Sequence, residues 1–320
     1  MLAWQTSRPG SLESLELRDV PVPEVGPGQM LVRVRTAAVN AADLVVMLDQ
    51  PGARFVHSRS LPITPGYDFA GIVERVGPEV QGRRAGDEVF GFLPYRAHNN
   101  RGTFAEYVLA EPDEVFRKPT GISFAEAAAA ATCGSTALRA LQLAGEPGRG
   151  RRVLINGASG GVGSFLVQIA KAYGAEVWGT ASAQNLPYLQ RIGCDRALDY
   201  RTIDPAELPA RFQLIADVAD KWSYSRVERR IRTGGAYVAV LPSLRFVRGK
   251  VSSLLSSKSC LLVRVAPRDR EFEELSRLIG SRRVKVPIHA SFSMKDAREA
   301  LRTFHEESIR GKVVVVVSEY

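Results

Sequence analysis

Val153-Leu154-Ile155-Asn156-Gly157-Ala158-Ser159-Gly160-Gly161-Val162-Gly163 sets an apolar triplet against a cluster of glycines, with the helical pattern of Val162 to Tyr173 following. A short apolar run of this kind suits a strand buried on both faces of a parallel sheet. Glycines placed directly after it permit a tight turn, let backbone N–H groups approach a pyrophosphate and let the next helix pack closely. Glycines also make ordinary turns, so the triplet alone is a weak signal. Its position between strand and helix is what makes it a dinucleotide-binding unit.

Working outward, the chain after Arg151 alternates strand and helix as a doubly wound sheet does. Strands are expected at Val153 to Ile155, Glu176 to Thr180, Ala197 to Asp199, Leu214 to Val218, Ala236 to Leu241 and Cys260 to Val265. Helices are expected at Val162 to Tyr173, Leu186 to Ile192 and Ser225 to Ile231, the last closed by Gly234-Gly235, with Arg245 to Lys258 left as a basic, serine-rich connection. A helix is also expected from Ala127 to about Leu143, followed by a loop over Gly145 to Gly150. Residues 1 to about 120 read differently, with β-like runs such as Met30 to Arg35 and Gly71 to Val76 separated by turn punctuation. The end of the chain adds a helix near Arg298 to Glu306 and the run Gly311 to Val317, a strand returning to the first domain. The domains are therefore expected at 1–122 with the return 266–320, and at 123–265.

Composition narrows the function classes. The chain has 320 residues, 45% hydrophobic and 24% charged, which is ordinary for a folded soluble protein. The net charge of +9 invites a nucleic-acid reading, but the arginines mostly sit beside acids, as in Arg268-Asp269-Arg270-Glu271, and no aromatic platform interleaves them. No nucleic-acid partner is expected. The start, Met1 to Gln5, lacks the basic and apolar regions of an export signal, and no run approaches the ~20 apolar residues of a membrane span. A cytoplasmic location is the expectation. Cys133, Cys194 and Cys260 are odd in number and scattered, which suits reduced core thiols. His57, His98, His289 and His305 show no helical pairing and suit surface or structural roles.

Two rivals arise from the residues themselves. Gly157-Ala158-Ser159-Gly160-Gly161 matches the nucleophile elbow, and Asp217 and His289 follow in the order a serine hydrolase requires. Against a hydrolase using Ser159 stand Gly163 and the lack of an upstream His-Gly-Gly-Gly segment. A short-chain dehydrogenase is disfavoured because the chain has no Tyr-x-x-x-Lys pair.

With a β-rich first domain, a dinucleotide unit beginning near the middle and a returning C-terminus, the chain resembles the medium-chain dehydrogenase/reductase superfamily, in its zinc-independent quinone oxidoreductase branch. The specific markers are Ala38-Val39-Asn40-Ala41-Ala42-Asp43, Leu61 to Gly71, Gly86-Asp87-Glu88-Val89-Phe90-Gly91, the glycine loop, and Arg310-Gly311-Lys312-Val313. The resemblance implies an α/β fold class, a GroES-like mainly β catalytic domain joined to a Rossmann domain, and hydride transfer from NADPH to a quinone or an α,β-unsaturated carbonyl. The alternative it carries is a non-catalytic NADPH-binding protein of the zeta-crystallin type.

The same resemblance distributes roles. Zinc alcohol dehydrogenases of the superfamily place a cysteine where Asn40 stands and Gly-His-Glu where Gly66-Tyr67-Asp68 stands, so no metal is expected; Cys133 near the third ligand's place cannot hold one alone. Asn40 is placed beside the nicotinamide ribose and substrate, with Tyr67 lining the vacated pocket either as proton donor or by packing. Ser159, Gly160, Gly161 and Val162 wrap the pyrophosphate. Thr136 and Val240-Leu241-Pro242 flank the nicotinamide half, Val263 and Val265 close the far side, and Lys312 reaches cofactor or cleft or else lies on the surface. The strand after the glycine loop ends in Thr180-Ala181-Ser182 where NAD-binding units carry an acid, so Ser182 and Tyr200 are expected to contact the 2′-phosphate of NADPH, with Arg201 as a charge donor. A homodimer through the dinucleotide-binding domain is expected, its contact made by the strands near Ala236 and Cys260.

Overall fold

Two glycines of the decisive loop, Gly157 and Gly163, stand where no other residue fits. Gly157 has φ +81°, and a Cβ added at Gly163 would stand 2.2 Å from the Gly157 carbonyl oxygen. Loop and helix are thus in backbone contact, which only glycine permits. The structure, a computed structural model, describes residues 1–145 and 148–318; residues 146 and 147 of the expected loop over Gly145 to Gly150 lie outside the described residues.

The chain divides into two units, one of residues 1–132, 265–280 and 286–320, the other of residues 133–264 and 281–285. The second unit holds a six-stranded sheet whose spatial order is Arg196–Asp199, Glu176–Ala181, Arg152–Asn156, Phe212–Asp217, Ile231–Ala239 and Ser259–Leu262, every pair parallel. Chain order reverses beside Arg152–Asn156, the strand that feeds the glycine loop. In doubly wound sheets the carboxyl ends at such a point carry the ligand crevice. The expected mixed α/β class, with a Rossmann-type sheet, is therefore what the chain forms.

Three local expectations are corrected. The segment Ser225 to Ile231 is a short helix, Tyr224–Val227, continued by a 3-10 turn, Glu228–Arg230, and Ile231 already begins the strand. Gly234 and Gly235 do not close a helix; they lie within that strand where its register against Phe212–Asp217 shifts, Gly234 at φ +71°. Such an extra loop of backbone in a ladder is a bulge, and glycine tolerates its conformation. The connection Arg245 to Lys258 contains the helix Leu244–Ser253, started by Ser243, whose Oγ accepts from the Phe246 N–H at 3.3 Å.

In the first unit Met30–Ala38 pairs antiparallel with Asp68–Val76, with Tyr107–Ala110 and, as expected, with the returning strand Lys312–Val316. The returning strand also runs parallel to Ile288–Ser293. A helix unread in the sequence, Asp269–Gly280, buries Phe272, Leu275, Leu278 and Ile279, with Phe272 stacked on Phe116 at 3.7 Å between ring centroids. The helix Phe124–Leu143 begins in the first unit and ends in the second. All three cysteines are buried and outside any disulfide. Among the described residues no helix is long and apolar enough to cross a membrane.

Candidate functional site

The second unit gathers its polar groups at the carboxyl ends of the strands. Thr180 Oγ1 donates to Asn156 Oδ1 at 2.7 Å, and Asn156 Nδ2 donates to Asp217 Oδ1 at 2.8 Å. The other Asp217 oxygen accepts from the Trp222 N–H at 2.8 Å and the Tyr237 hydroxyl at 2.9 Å. This ladder ties four adjacent strand ends together and fixes the exit angle of the glycine loop. Its sequence signal was Asn156, a polar residue ending an apolar strand.

Beyond Asn156 the loop delivers Ser159, Gly160, Gly161 and Val162, all partly exposed, into the start of the helix Gly161–Ala172. The first N–H groups of any helix lack intrahelical partners and carry the positive end of its dipole, so this terminus suits an anion. Ser182 follows the last residue of Glu176–Ala181, and Tyr200 lies next to it because the Tyr200 N–H donates to the Ala181 carbonyl at 3.2 Å. The structure thus brings Ser182 and Tyr200 to one corner, Tyr200 being 52% exposed. Arg201 stands there too, its Nε 3.3 Å from Asp199 Oδ1. That pairing offsets the only carboxylate ending the edge strand Arg196–Asp199.

Thr136 is buried in the helix Phe124–Leu143, yet its Oγ1 has no hydrogen-bond partner. A buried hydroxyl left unmatched costs about 1–3 kcal/mol, so such an atom invites a ligand. Val240, Leu241 and Pro242 follow Ile231–Ala239; Leu241 and Pro242 are exposed. Val263 is buried after Ser259–Leu262, its N–H on the Ala239 carbonyl at 2.9 Å, and Val265 opens the returning segment of the first unit. An unmatched buried hydroxyl, a glycine cradle that a single Cβ would fill, and a free helix terminus fit a dinucleotide.

The polar centre of the first unit lies at the joint of three strands. Lys312, 1% exposed, places its Nζ 2.7 Å from the Val39 carbonyl, 2.6 Å from Asn40 Oδ1 and 3.0 Å from Asp68 Oδ2. Its surface alternative is thereby corrected: the returning strand carries this side chain inward onto Asp68. Asp68, fully buried, also accepts from the Thr132 hydroxyl and, at 3.2 Å, from the Thr132 N–H. Lysine is almost never buried unless paired, and this pair meets that condition.

Asp43 performs a second binding together of the same segments. It accepts from the Asn40 N–H at 2.7 Å and from the Gly66 N–H at 2.8 Å, so one carboxyl group joins the stretches bearing Asn40 and Tyr67. Burial pushes the Asp43 carboxyl up to about 7. The Tyr67 hydroxyl donates to the Val56 carbonyl at 3.1 Å and lies 3.3 Å from His57 Nδ1, while its ring packs on Tyr95 at 4.4 Å between centroids. Burial raises the Tyr67 hydroxyl well above the ordinary phenol range and lowers His57 to about 4, so the imidazole stays neutral at pH 7. Asp43, Asp68 and His57 were not singled out from sequence. The two aspartates stood inside the marker motifs, but nothing in a motif shows which carboxylates face inward.

Other groupings are structural. Among the described residues the one set of three His, Cys, Asp or Glu groups with ligand atoms within 4.8 Å is Glu111, Asp113 and Glu114, and Glu114 there takes both arms of Arg101 at 2.7 Å. His289 faces Glu307 at 3.6 Å, and Asp217 is held in the strand-end ladder by Asn156, Trp222 and Tyr237.

Known proteins resemble both halves of this arrangement. Residues 26–120 match the alcohol dehydrogenase GroES-like domain family and residues 192–315 the zinc-binding dehydrogenase family. The chain is 35% identical over 258 residues to 2-methylene-furan-3-one reductase of Solanum lycopersicum, 77% of this chain and 65% of that protein. It is 33% identical to the chloroplastic NADPH-dependent alkenal/one oxidoreductase of Arabidopsis thaliana, again matching 65% of that protein's length. Against the chloroplast envelope quinone oxidoreductase homolog of Arabidopsis thaliana it is 28% identical over 96% of this chain and 95% of the other. The solved quinone oxidoreductase from Coxiella burnetii superposes with a TM-score of 0.89 at 28% identity, covering 99% of each chain.

Proposed function

The chain belongs to the medium-chain dehydrogenase/reductase superfamily, and from that membership we propose that it is an NADPH-dependent oxidoreductase reducing a quinone or an α,β-unsaturated carbonyl without zinc. One observation carries the reading. At the positions where zinc enzymes of the superfamily keep cysteine and histidine, this chain has Asn40 and Tyr67, and the Lys312 ammonium sits on Asn40 Oδ1 and Asp68 Oδ2. A donor set of one amide and one carboxylate already bound to a cation does not suit zinc, which takes three N, S or O ligands and an open position.

Bound reduced nicotinamide supplies a hydride. An acceptor that needs no Lewis acid is a conjugated one: hydride adds at the β carbon, the π electrons move onto the carbonyl oxygen, and a solvent proton completes the α carbon. Charge spread onto that oxygen can be met by hydrogen-bond donors. Ser159, Gly160, Gly161 and Val162 would hold the pyrophosphate, Ser182 and Tyr200 the 2′-phosphate, and Thr136 would give its unmatched hydroxyl to the nicotinamide half with Val240, Leu241 and Pro242. Val263 and Val265 would close the far side. Tyr67 packs rather than donating, because its proton is held by Val56. Steady-state consumption of NADPH with a panel of quinones, alkenals and enones tests the reading. Tight NADPH binding without turnover of any of them would instead support the non-catalytic, zeta-crystallin-like alternative.

The homodimer is proposed on wider grounds than the strand edge. Ser259–Leu262 is the outermost strand of the parallel sheet, with one neighbour. The helix Leu244–Ser253, which replaces the expected connection, carries Leu244, Val247 and Val251 outward, followed by Leu254 and Leu255, and each of these is more than half exposed. Contiguous apolar surface beside an open edge marks a contact. Light scattering at micromolar concentration is expected to give twice the 35.0 kDa chain mass, and Val247→Glu with Val251→Glu to return it to one chain. A wild-type mass of one chain at every dilution removes the dimer.

A further inference from the structure

We infer that Lys312 is a positioning residue that sets the polarity of the Asn40 side-chain amide, so that Asn40 offers an N–H donor to the carbonyl oxygen of a conjugated acceptor. The inference rests on the proposed reduction and goes further by naming the group that stabilises the developing charge and the group that aims it.

An amide has an accepting and a donating end of nearly equal shape, and its orientation is decided by its partners. An ammonium has three donors and no acceptor. With Nζ 2.6 Å from the Asn40 amide, the facing atom must be oxygen. The NH2 end is thereby turned away from Lys312. One of its hydrogens makes a long bond to the Ala38 carbonyl, 3.3 Å, while its oxygen also faces the Asp43 N–H in the capping box that opens the helix Ala41–Met47. Asn40 is 7% exposed, so its remaining donor is nearly desolvated and still available. Donors held in that state, aimed where charge develops, are the most effective kind.

The surrounding contacts fix the rest of the geometry. Lys312 is itself aimed by Asp68 and the Val39 carbonyl, and the Asn40 backbone is clamped by Asp43. Neither end of the Asn40 side chain is free to rotate while Lys312 is charged and in place. Without that ammonium the amide gains a second orientation, with oxygen outward, which repels a developing negative charge rather than binding it.

The test is a double-mutant cycle on kcat with an enone that the wild type reduces. Lys312→Met leaves the Asp68 carboxylate buried without its cation, so Lys312→Met/Asp68→Asn, neutral and of similar size, is measured beside it. Asn40→Ala is expected to lower kcat about a hundredfold, the usual loss for one such donor. Removing the ammonium is expected to lower kcat about tenfold or more with the NADPH dissociation constant held within about threefold, and to add less than about twofold in the Asn40→Ala background. Losses that multiply across the two sites, or full kcat without the ammonium, overturn the inference while leaving the proposed reduction standing. A wild type that reduces no enone overturns the reduction itself. The Asn40 side-chain amide resonances of the apoprotein, assigned by their loss in Asn40→Ala, give an independent reading. They are expected to shift when Lys312 and Asp68 are replaced, and unchanged resonances overturn the inference whatever the activity.

Discussion

NADPH is expected to bind at least about a hundredfold more tightly than NADH, and Ser182→Asp to reverse that preference. A hundredfold corresponds to about 2.7 kcal/mol, within reach of one or two charge-assisted hydrogen bonds of about 1.5–3 kcal/mol each. The corner can supply them. Ser182 follows its strand with a small hydroxyl, Tyr200 stands 52% exposed beside it, and Arg201 offsets the Asp199 carboxylate that would otherwise oppose a phosphate there. Placing a carboxylate at Ser182 sets like charges about 4 Å apart, a repulsion of about 4 kcal/mol at the effective dielectric of a protein surface. The same carboxylate can accept the ribose hydroxyls of NADH, so the preference should pass to NADH rather than merely vanish. Titration calorimetry with both dinucleotides decides it, and equal dissociation constants for the wild type would remove the argument from Ser182.

A second large effect is expected at Gly163. Its added Cβ would meet the Gly157 carbonyl oxygen at 2.2 Å and the Ala158 Cα at 2.7 Å, both backbone atoms that no rotamer change can move. Gly163→Ala therefore displaces either the helix start or the loop, and a misplacement of about 1 Å costs about a hundredfold in a positioned site. NADPH affinity should fall by at least that factor. The first unit, which contains neither residue, should keep its own core. Gly148→Ala, in the same unit but outside the loop, is the control, because a Cβ there meets nothing within 4 Å. If Gly163→Ala binds NADPH within threefold of the wild type, close helix packing is not what the third glycine provides.

What could be read from the sequence depended on whether a residue's local chemistry matched its place. The glycine loop was legible because positive φ and backbone contact leave glycine as the only solution, and the strand–loop–helix order located it. The returning strand was legible because five consecutive β-branched valines, Val313 to Val317, favour a strand, and three of them are fully buried. Lys312 was not, since a lysine beside a turn is ordinarily a surface residue, and only the long-range pairing of the returning strand with Met30–Ala38 brings it onto Asp68. The helix Leu244–Ser253 was hidden for the opposite reason. Its apolar residues point outward and its inward positions are Phe246, Gly249 and Ser253, so the usual buried stripe is missing, although Ser243 stood as a capping signal. In Asp269–Gly280 the inward positions Phe272, Leu275 and Ile279 recur at helical spacing but are masked by the charged residues between them. The partnership of Asp43 with Asn40 and Gly66 joins parts of the chain that no local pattern connects.

Hydride is expected to pass from NADPH to a conjugated acceptor with no metal taking part. Reduction of an enone by NADPH deuterated at the transferable position, using protein exhaustively treated with chelator and checked by elemental analysis, tests it most directly. A rate equal to that of untreated protein with the same deuterated NADPH is expected, with one deuterium at the β carbon of the product and the α-carbon hydrogen drawn from solvent. A rate that disappears with removal of one zinc per chain, or a product carrying no deuterium, would contradict it.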